Sequence, residues 1–240
     1  ENPAITYKKG STCHFNPQTV NDDMQLHPED RTNSMKCFDN AAKNRNLKDT
    51  EKAWAKLRTK KKKTYPNTLI SDAKLDYSIE QFYKTFWSSS AINPYENYQQ
   101  YVQGHTDIET TDWIDSGDSF TLCRTQQYLY RNGTSVGPMV ANATTKQTLQ
   151  RYGDYGMQIC FSTQFEIEGV SMADCFVMEE RILIESTEGG ILMNVAAGSN
   201  FTKKTIYKPI IATTVKGSTK KIWEDFVDYA RKLPVHPEEE

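Results

Sequence analysis

Arg124, Tyr128, the Gly137-Pro138 pair and Gln147 stand at intervals along two adjacent strand-like segments. An arginine, a tyrosine and a glutamine in one sheet neighbourhood donate and accept hydrogen bonds, so their chemistry is to order the end of a cavity, directly or through water. A plain structural role is the alternative: Arg124 and Gln147 satisfying carbonyls or a carboxylate such as Asp107 or Glu109. The reactive residue types are dispersed. His14, His27, His105 and His236 show no metal-ligand spacing, and no metal or other cofactor is expected. Cys13, Cys37, Cys123, Cys160 and Cys175 contain no CxxC pair, which reads as reduced thiols. A GxSxG elbow, a P-loop and a dinucleotide glycine pattern are all missing. Tyrosines and acids lining a cavity can run cyclisation or hydrolysis, but no acid-base pair stands out, so catalysis ranks below binding.

The 240 residues carry a net charge of −2, which does not mark a nucleic-acid binder. No apolar run is long enough to span a bilayer, and the amino terminus lacks a signal-peptide profile. Asn132-Gly-Thr, Asn142-Ala-Thr and Asn200-Phe-Thr are formal glycosylation acceptors, read as chance matches in an Asn- and Thr-rich chain.

The elements that must position these residues follow from periodicity. Residues 1–68 read as a polar N-terminal arm, proline-bearing and without an apolar period, holding a basic helix around 49–63. Residues 69–235 form the globular domain, and 236–240 an acidic tail. Ser78 caps a short helix bearing Ile79, Phe82, Tyr83 and Phe86, and Pro94 opens a second with Tyr95, Tyr98 and Tyr101. Strands are predicted over 107–114, 120–130, 139–151, 157–168, 175–186 and 190–197. In 157–168 the odd positions Met157, Ile159, Phe161, Phe165 and Ile167 face a core, and the even ones, Gln158 and Ser162 among them, face water. After Asn200 the period changes to about 3.6, placing Ile211, Val215, Ile222, Phe226, Tyr229 and Leu233 on one helical stripe that ends before Pro234. The fold class is α+β: a curved antiparallel sheet wrapped around a long C-terminal helix, with short helices before it, leaving a lipid-sized gap between sheet and helix.

Over roughly residues 75–233 the chain resembles the VASt (ASTER) domains found beside GRAM domains in sterol-transfer proteins, which share the START-like helix-grip fold. The resemblance rests on Asp107-Ile108, Trp113, Arg124 with Tyr128 four residues on, Gly137-Pro138 and the Thr-Lys-Gln that ends at Gln147. The aromatic-rich opening Tyr77–Trp87 and the ending Ile222–Ala230 add to it. Two departures stand out. Thr145-Lys146 precede Gln147 where the family often has an acidic residue and Thr, and Phe201 or Tyr207 replaces a tryptophan usual before the last helix. The resemblance implies a domain that takes a sterol or similar lipid and exchanges it between membranes, as a cytosolic part of a protein at endoplasmic reticulum contact sites.

On that reading the lipid-lining candidates are Met139, Phe161, Phe165, Phe176, Met178, Ile182, Ile184, Ile211, Val215 and Ile222, and Arg124, Tyr128 and Gln147 are the polar cavity residues. Gly133, Gly137 and Pro138 form a gate loop, with an ordinary hairpin connection as the alternative. Lys60, Lys61, Lys62 and Lys63 form a basic cluster that faces an anionic membrane or is simply a solvated helix end. The N-terminal arm is a candidate site for a protein partner. The rival reading from another class is a scaffold that keeps the fold but fills the cavity, for which Phe161, Phe165 and Phe226 meeting across sheet and helix would be the signature.

Overall fold

The computed structural model describes residues 47–60, 64–116, 120–131, 140–166 and 175–235. The arm before residue 47, Lys61–Lys63, the gate-loop candidates Gly133, Gly137 and Pro138, Met139, Ile167 and the acidic tail lie outside the described residues. Helix α1 spans Leu47–Thr59, α2 Ile79–Phe86, α3 Tyr95–Tyr101 and α4 Lys208–Lys232. The strands are β1 Asn67–Leu75, β2 Thr106–Thr110, β3 Ile114–Asp115, β4 Thr121–Arg131, β5 Val140–Arg151, β6 Gly156–Glu166, β7 Phe176–Thr187 and β8 Gly190–Phe201.

All pairings between these strands are antiparallel, and the sheet runs β1-β8-β7-β6-β5-β4-β2, with β3 on β4. This is the α+β helix-grip arrangement expected from the alternation. Strand β1 is the addition: the sequence reading begins the domain at this point without a strand. Its alternation is broken by two register shifts against β8 and by Asp72, whose φ is 51°, so the period-2 signal never runs long enough to read. Asp72 is held by its backbone N–H donating to Asn194 Oδ1 at 3.0 Å.

The hairpin joining β7 to β8 turns on Gly189 at φ 74° and Gly190 at φ 150°. A Cβ on Gly190 would overlap the carbonyl oxygen of Leu75. Helix α2 starts as its sequence predicts: Ser78 Oγ accepts from Gln81 N at 3.0 Å, and Gln81 Oε1 accepts from Ser78 N at 2.7 Å.

The core is lopsided along α4. Trp223, Phe226, Val227 and Ala230 are buried, whereas none of Lys208–Ser218 is. Phe226 packs its ring on those of Phe82, Phe86, Tyr95, Tyr98 and Trp223, with centroids 5.2–6.4 Å apart. Such aromatic pairs in offset or edge-on geometry are worth more than their buried area alone. The C-terminal half of the helix is thereby clamped to α2 and α3, and the N-terminal half is not.

The outer face of the sheet departs from expectation. Gln158, predicted to face water, is 2% exposed, and Arg181 beside it is 7% exposed. Helix α1 covers them. Arg181 donates Nε to Gln158 Oε1 at 2.6 Å, Nη2 to Leu57 O at 2.8 Å and Nη1 to Lys60 O at 3.0 Å, so a buried cation satisfies the carbonyls that α1 leaves open at its C-terminus. Trp54, one turn before Leu57, packs against Tyr152, and a Cβ on Gly156 would overlap its indole. Trp54→Ala is expected to free α1 and to speed trypsin cleavage at Lys52 and Lys56 by about tenfold or more. Cleavage at the wild-type rate would contradict this anchoring.

Candidate functional site

Three rungs of the sheet, each running straight across the strands, build the site. Register places Arg124, Gln147, Phe161 and Glu180 on one rung, and Gln126, Thr145, Thr163 and Met178 on the next. Tyr128, Ala143 and Phe165 make the third. All share the face that α3 and α4 cover, because strand positions two apart point the same way. The middle of this surface carries the short side chains Thr145, Thr163 and Ala143, so it sits lower than its surroundings. That depression is the floor of a pocket of about 350 Å³, counted with its mouth open to solvent. The space within it that a water-sized molecule can occupy is only about 20 Å³, room for about one water, so the side chains nearly close the pocket in this structure.

The floor is a hydroxyl ladder. Thr145 Oγ1 and Thr163 Oγ1 lie 2.9 Å apart, and Tyr128 Oη is 3.4 Å from Thr145 Oγ1. The walls come from Tyr95, Gln99 and Gln103 of α3 and its following turn, His105, Tyr130, Phe161, Met178, Glu180 and Ile222. Burial keeps the tyrosines protonated, raising Tyr95, Tyr128 and Tyr130 above the ordinary phenol value.

Two titratable groups in these walls are shifted in opposite senses. Burial pushes the Glu180 carboxyl up to about 7, partly countered by Trp223 Nε1 donating to Glu180 Oε1 at 2.6 Å. Burial likewise pushes the His105 imidazole down to about 4. The Arg131 backbone N–H donates to His105 Nδ1 at 3.3 Å, so that nitrogen carries no proton and the ring is neutral. His105 stacks on Tyr128 with centroids 5.1 Å apart. A carboxyl near 7 in a pocket is the group that catalysis in this fold would require. Among the described residues, however, its hydrogen bond goes to an indole rather than to a second titratable group.

Arg124 and Gln147 stand one step behind the pocket wall. Arg124 Nε donates to Gln147 Oε1 at 2.7 Å, its Nη2 lies 3.0 Å from Glu96 Oε1, and its guanidinium sits 4.3 Å over the Trp113 ring. Gln147 Nε2 in turn donates to Gln126 Oε1 at 3.3 Å, which also accepts from Gln99 Nε2 at 3.0 Å. The network ties α3 to β4 and β5, and so fixes the pocket wall that Gln99 and Gln126 provide.

Of the residues singled out from sequence, Tyr128, Phe161, Met178 and Ile222 line the pocket. Ile182 and Ile184 lie in the central core, further along β7. Phe165 and Phe176 are half-buried with rings 6.1 Å apart, while Ile211 and Val215 are half-buried on the loosely held half of α4. Lys60 is exposed beside α1 on the outer face. Glu180, Gln99, Gln103, Gln126 and Thr163 are pocket residues that the sequence reading does not reach, and His105 and Thr145 carry no site role in it. A signal existed for two of them: Thr163 interrupts the apolar phase of β6, and Glu180 that of β7. Among the described residues no cluster of His, Cys, Asp and Glu forms a metal site, and no helix is long and apolar enough to cross a membrane.

A family model described as VASt, the VAD1 Analog of StAR-related lipid transfer domain, matches residues 69–218. No curated protein matches the chain.

Proposed function

Because the chain belongs to the VASt family, whose match takes in the sheet and the first half of α4, we propose that it binds one sterol or similar hydroxyl-bearing lipid in the pocket between β4–β7 and α4 and carries it between membranes. The observation that carries this reading is the pocket's position. It lies where the sheet offers short hydroxyl side chains and where α4 contributes Ile222 to the wall, just beyond the stretch Lys208–Ser218 that holds no buried residue. Moving the N-terminal half of α4 outward therefore breaks few packed contacts, and the cavity can widen to take a ligand larger than its present volume. The Thr145 and Thr163 hydroxyls and the Glu180 carboxyl supply the hydrogen bonds that orient a lipid hydroxyl, and Met178, Phe161 and Ile222 supply apolar wall. Burying a rigid apolar molecule at about 25 cal/mol per Å² drives the binding without any cofactor. The proposed setting is the cytosolic side of endoplasmic reticulum contact sites.

One observation favours the scaffold reading. Phe161, Tyr95, Trp223 and Phe226 already meet across sheet and helix, with centroids 5.4–5.9 Å apart, and fill the neighbouring half of the gap. Native mass spectrometry after incubation with cyclodextrin-delivered sterols and with phospholipids separates the two. A one-to-one sterol adduct is expected, and Thr163→Phe, which fills the floor at an overpacking cost of about 1–3 kcal/mol, should abolish it while circular dichroism stays native. A folded wild-type chain that takes up no lipid across this panel would establish the scaffold reading.

A further inference from the structure

The segment that leads into α4 has no place in the pocket or the core, and its composition is unlike the rest of the chain. Between Glu188 and Glu224 the sequence contains no carboxylate, while Lys203, Lys204, Lys208, Lys216, Lys220 and Lys221 all fall there, in a protein whose net charge is −2. Lys220 and Lys221 are paired with Glu224 and Asp225 on α4 itself. The lysines nearer the start of the helix, Lys203, Lys204 and Lys208, are exposed. Between them the chain turns apolar side chains outward. Ile206 is 85% exposed, Ile210 55% and Tyr207 54%. An isolated exposed isoleucine is unremarkable, but three large apolar side chains within five residues, rimmed by lysines, form a patch.

The patch is anchored and continuous with the pocket. Thr202 N donates to Cys175 O at 2.9 Å, Tyr207 N to Thr205 Oγ1 at 3.1 Å and Ile211 N to Tyr207 O at 2.9 Å, so the turn has a defined shape. Lys208 Nζ lies 5.1 Å over the Phe201 ring. From Phe201 a row of half-buried rings runs across the strand ends: Phe201 to Phe176 at 5.9 Å, Phe176 to Phe165 at 6.1 Å, Phe165 to Tyr130 at 5.2 Å. Tyr130 lines the pocket. One apolar track thus connects the exposed turn to the cavity, beneath the half of α4 that contributes no buried side chain.

We propose that the turn Lys203–Ile211 is a membrane-docking surface for an anionic bilayer, with Ile206, Tyr207 and Ile210 inserted among the lipid headgroups and Lys203, Lys204 and Lys208 paired with lipid phosphates and carboxylates. The occupant is a lipid surface because the lysines of this segment, which holds no carboxylate from Gly189 to Trp223, bracket the apolar side chains, the pattern of an interfacial anchor. Docking there sets the mouth of the pocket against the membrane. The proposal rests on the lipid-binding reading and moves the membrane contact away from Lys60, which lies on the outer face beside α1.

Flotation of the full 240-residue chain with phosphatidylcholine vesicles, with and without phosphatidylserine, tests it. Binding is expected to require phosphatidylserine and to weaken as salt rises. Each of Lys203→Ala, Lys204→Ala and Lys208→Ala should lower partitioning about fivefold, and Ile206→Asp with Ile210→Asp should lower it about a hundredfold or more. Lys52→Ala with Lys56→Ala, on α1, should leave it unchanged. The Asp double variant should still take up sterol from cyclodextrin, since the pocket is untouched; this separates failure of docking from failure of the lipid-binding reading. Vesicle binding that survives the Asp double substitution overturns the proposal. So does a wild-type chain that ignores vesicles but runs as a dimer which the substitutions dissociate, because the patch would then be a protein interface.

Discussion

Arg124→Ala is expected to lower the free energy of unfolding by about 3–5 kcal/mol, the range for removing one partner of a buried ion pair. The Arg124 side chain is 8% exposed and that of Glu96 18%, so water does little to replace the lost partner. Three groups suffer at once: the Glu96 carboxylate loses its cation, Gln147 Oε1 its donor and Trp113 the guanidinium over its ring. Burial lowers the Arg124 pKa while Glu96 opposes that shift, and the guanidinium stays charged throughout. Arg124→Lys should recover only part of the loss, because an ammonium cannot serve Gln147 and Glu96 in a fork and stack on an indole as well. Urea denaturation would show a lower midpoint at unchanged slope. A loss under about 1 kcal/mol, the value of an exposed pair, would show that the network does not hold α3 against the sheet.

The pocket's two titratable walls give the second large effect, and it depends on pH. Glu180 has a folded pKa of about 7 against 4.5 for the free side chain, so the folded state holds a proton that the unfolded state has released. Its contribution is therefore lost as pH rises from 4.5 through 7, by about 3 kcal/mol in all. His105 has a folded pKa of about 4 against 6.5, so the unfolded state takes a proton that the folded state refuses. Stability from this group is lost as pH falls from 6.5 through 4, by a similar amount. Between pH 4.5 and 6.5 the two slopes oppose each other, and the wild-type chain should look nearly insensitive as far as these groups are concerned. Single substitutions expose each slope. Glu180→Gln, which keeps an oxygen for Trp223 Nε1, should match wild type near pH 4 and exceed it by about 3 kcal/mol near pH 8. His105→Gln should gain most near pH 4 and little above pH 7. Thermal unfolding across pH 4–8 checks both, and parallel curves for all three proteins would mean that neither group is buried as described.

The alternation of β4 to β8 and the stripe on α4 were plain in the sequence because period 2 and period 3.6 were sustained over eleven or more residues. Strand β1 was hidden by its bulges. The cover on the outer face was hidden for a different reason: Gln158 and Arg181 are polar, and polarity in an alternating strand reads as solvent, whereas here Arg181 satisfies the end of α1. Tyr128, Phe161, Met178 and Ile222 were found from a resemblance combined with strand phase. Glu180 and Thr163 sit in the same phase, where a polar residue reads as an interruption of a core. Those interruptions mark the floor and wall of the pocket. Gln99, Gln103 and His105 carry no such mark, since only the packing of α3 across β4 brings them to the pocket.

Photoaffinity labelling with a sterol bearing a diazirine on its ring system, followed by peptide mapping, tests the central claim most directly, because it asks where a lipid sits. Label on Met178 of β7 and on α4 between Ile211 and Ile222, competed by unlabelled sterol and lost in Thr163→Phe, is the predicted result. Label confined to Ile206, Tyr207 and other exposed apolar residues, unchanged by competitor, would contradict a lipid held between sheet and helix.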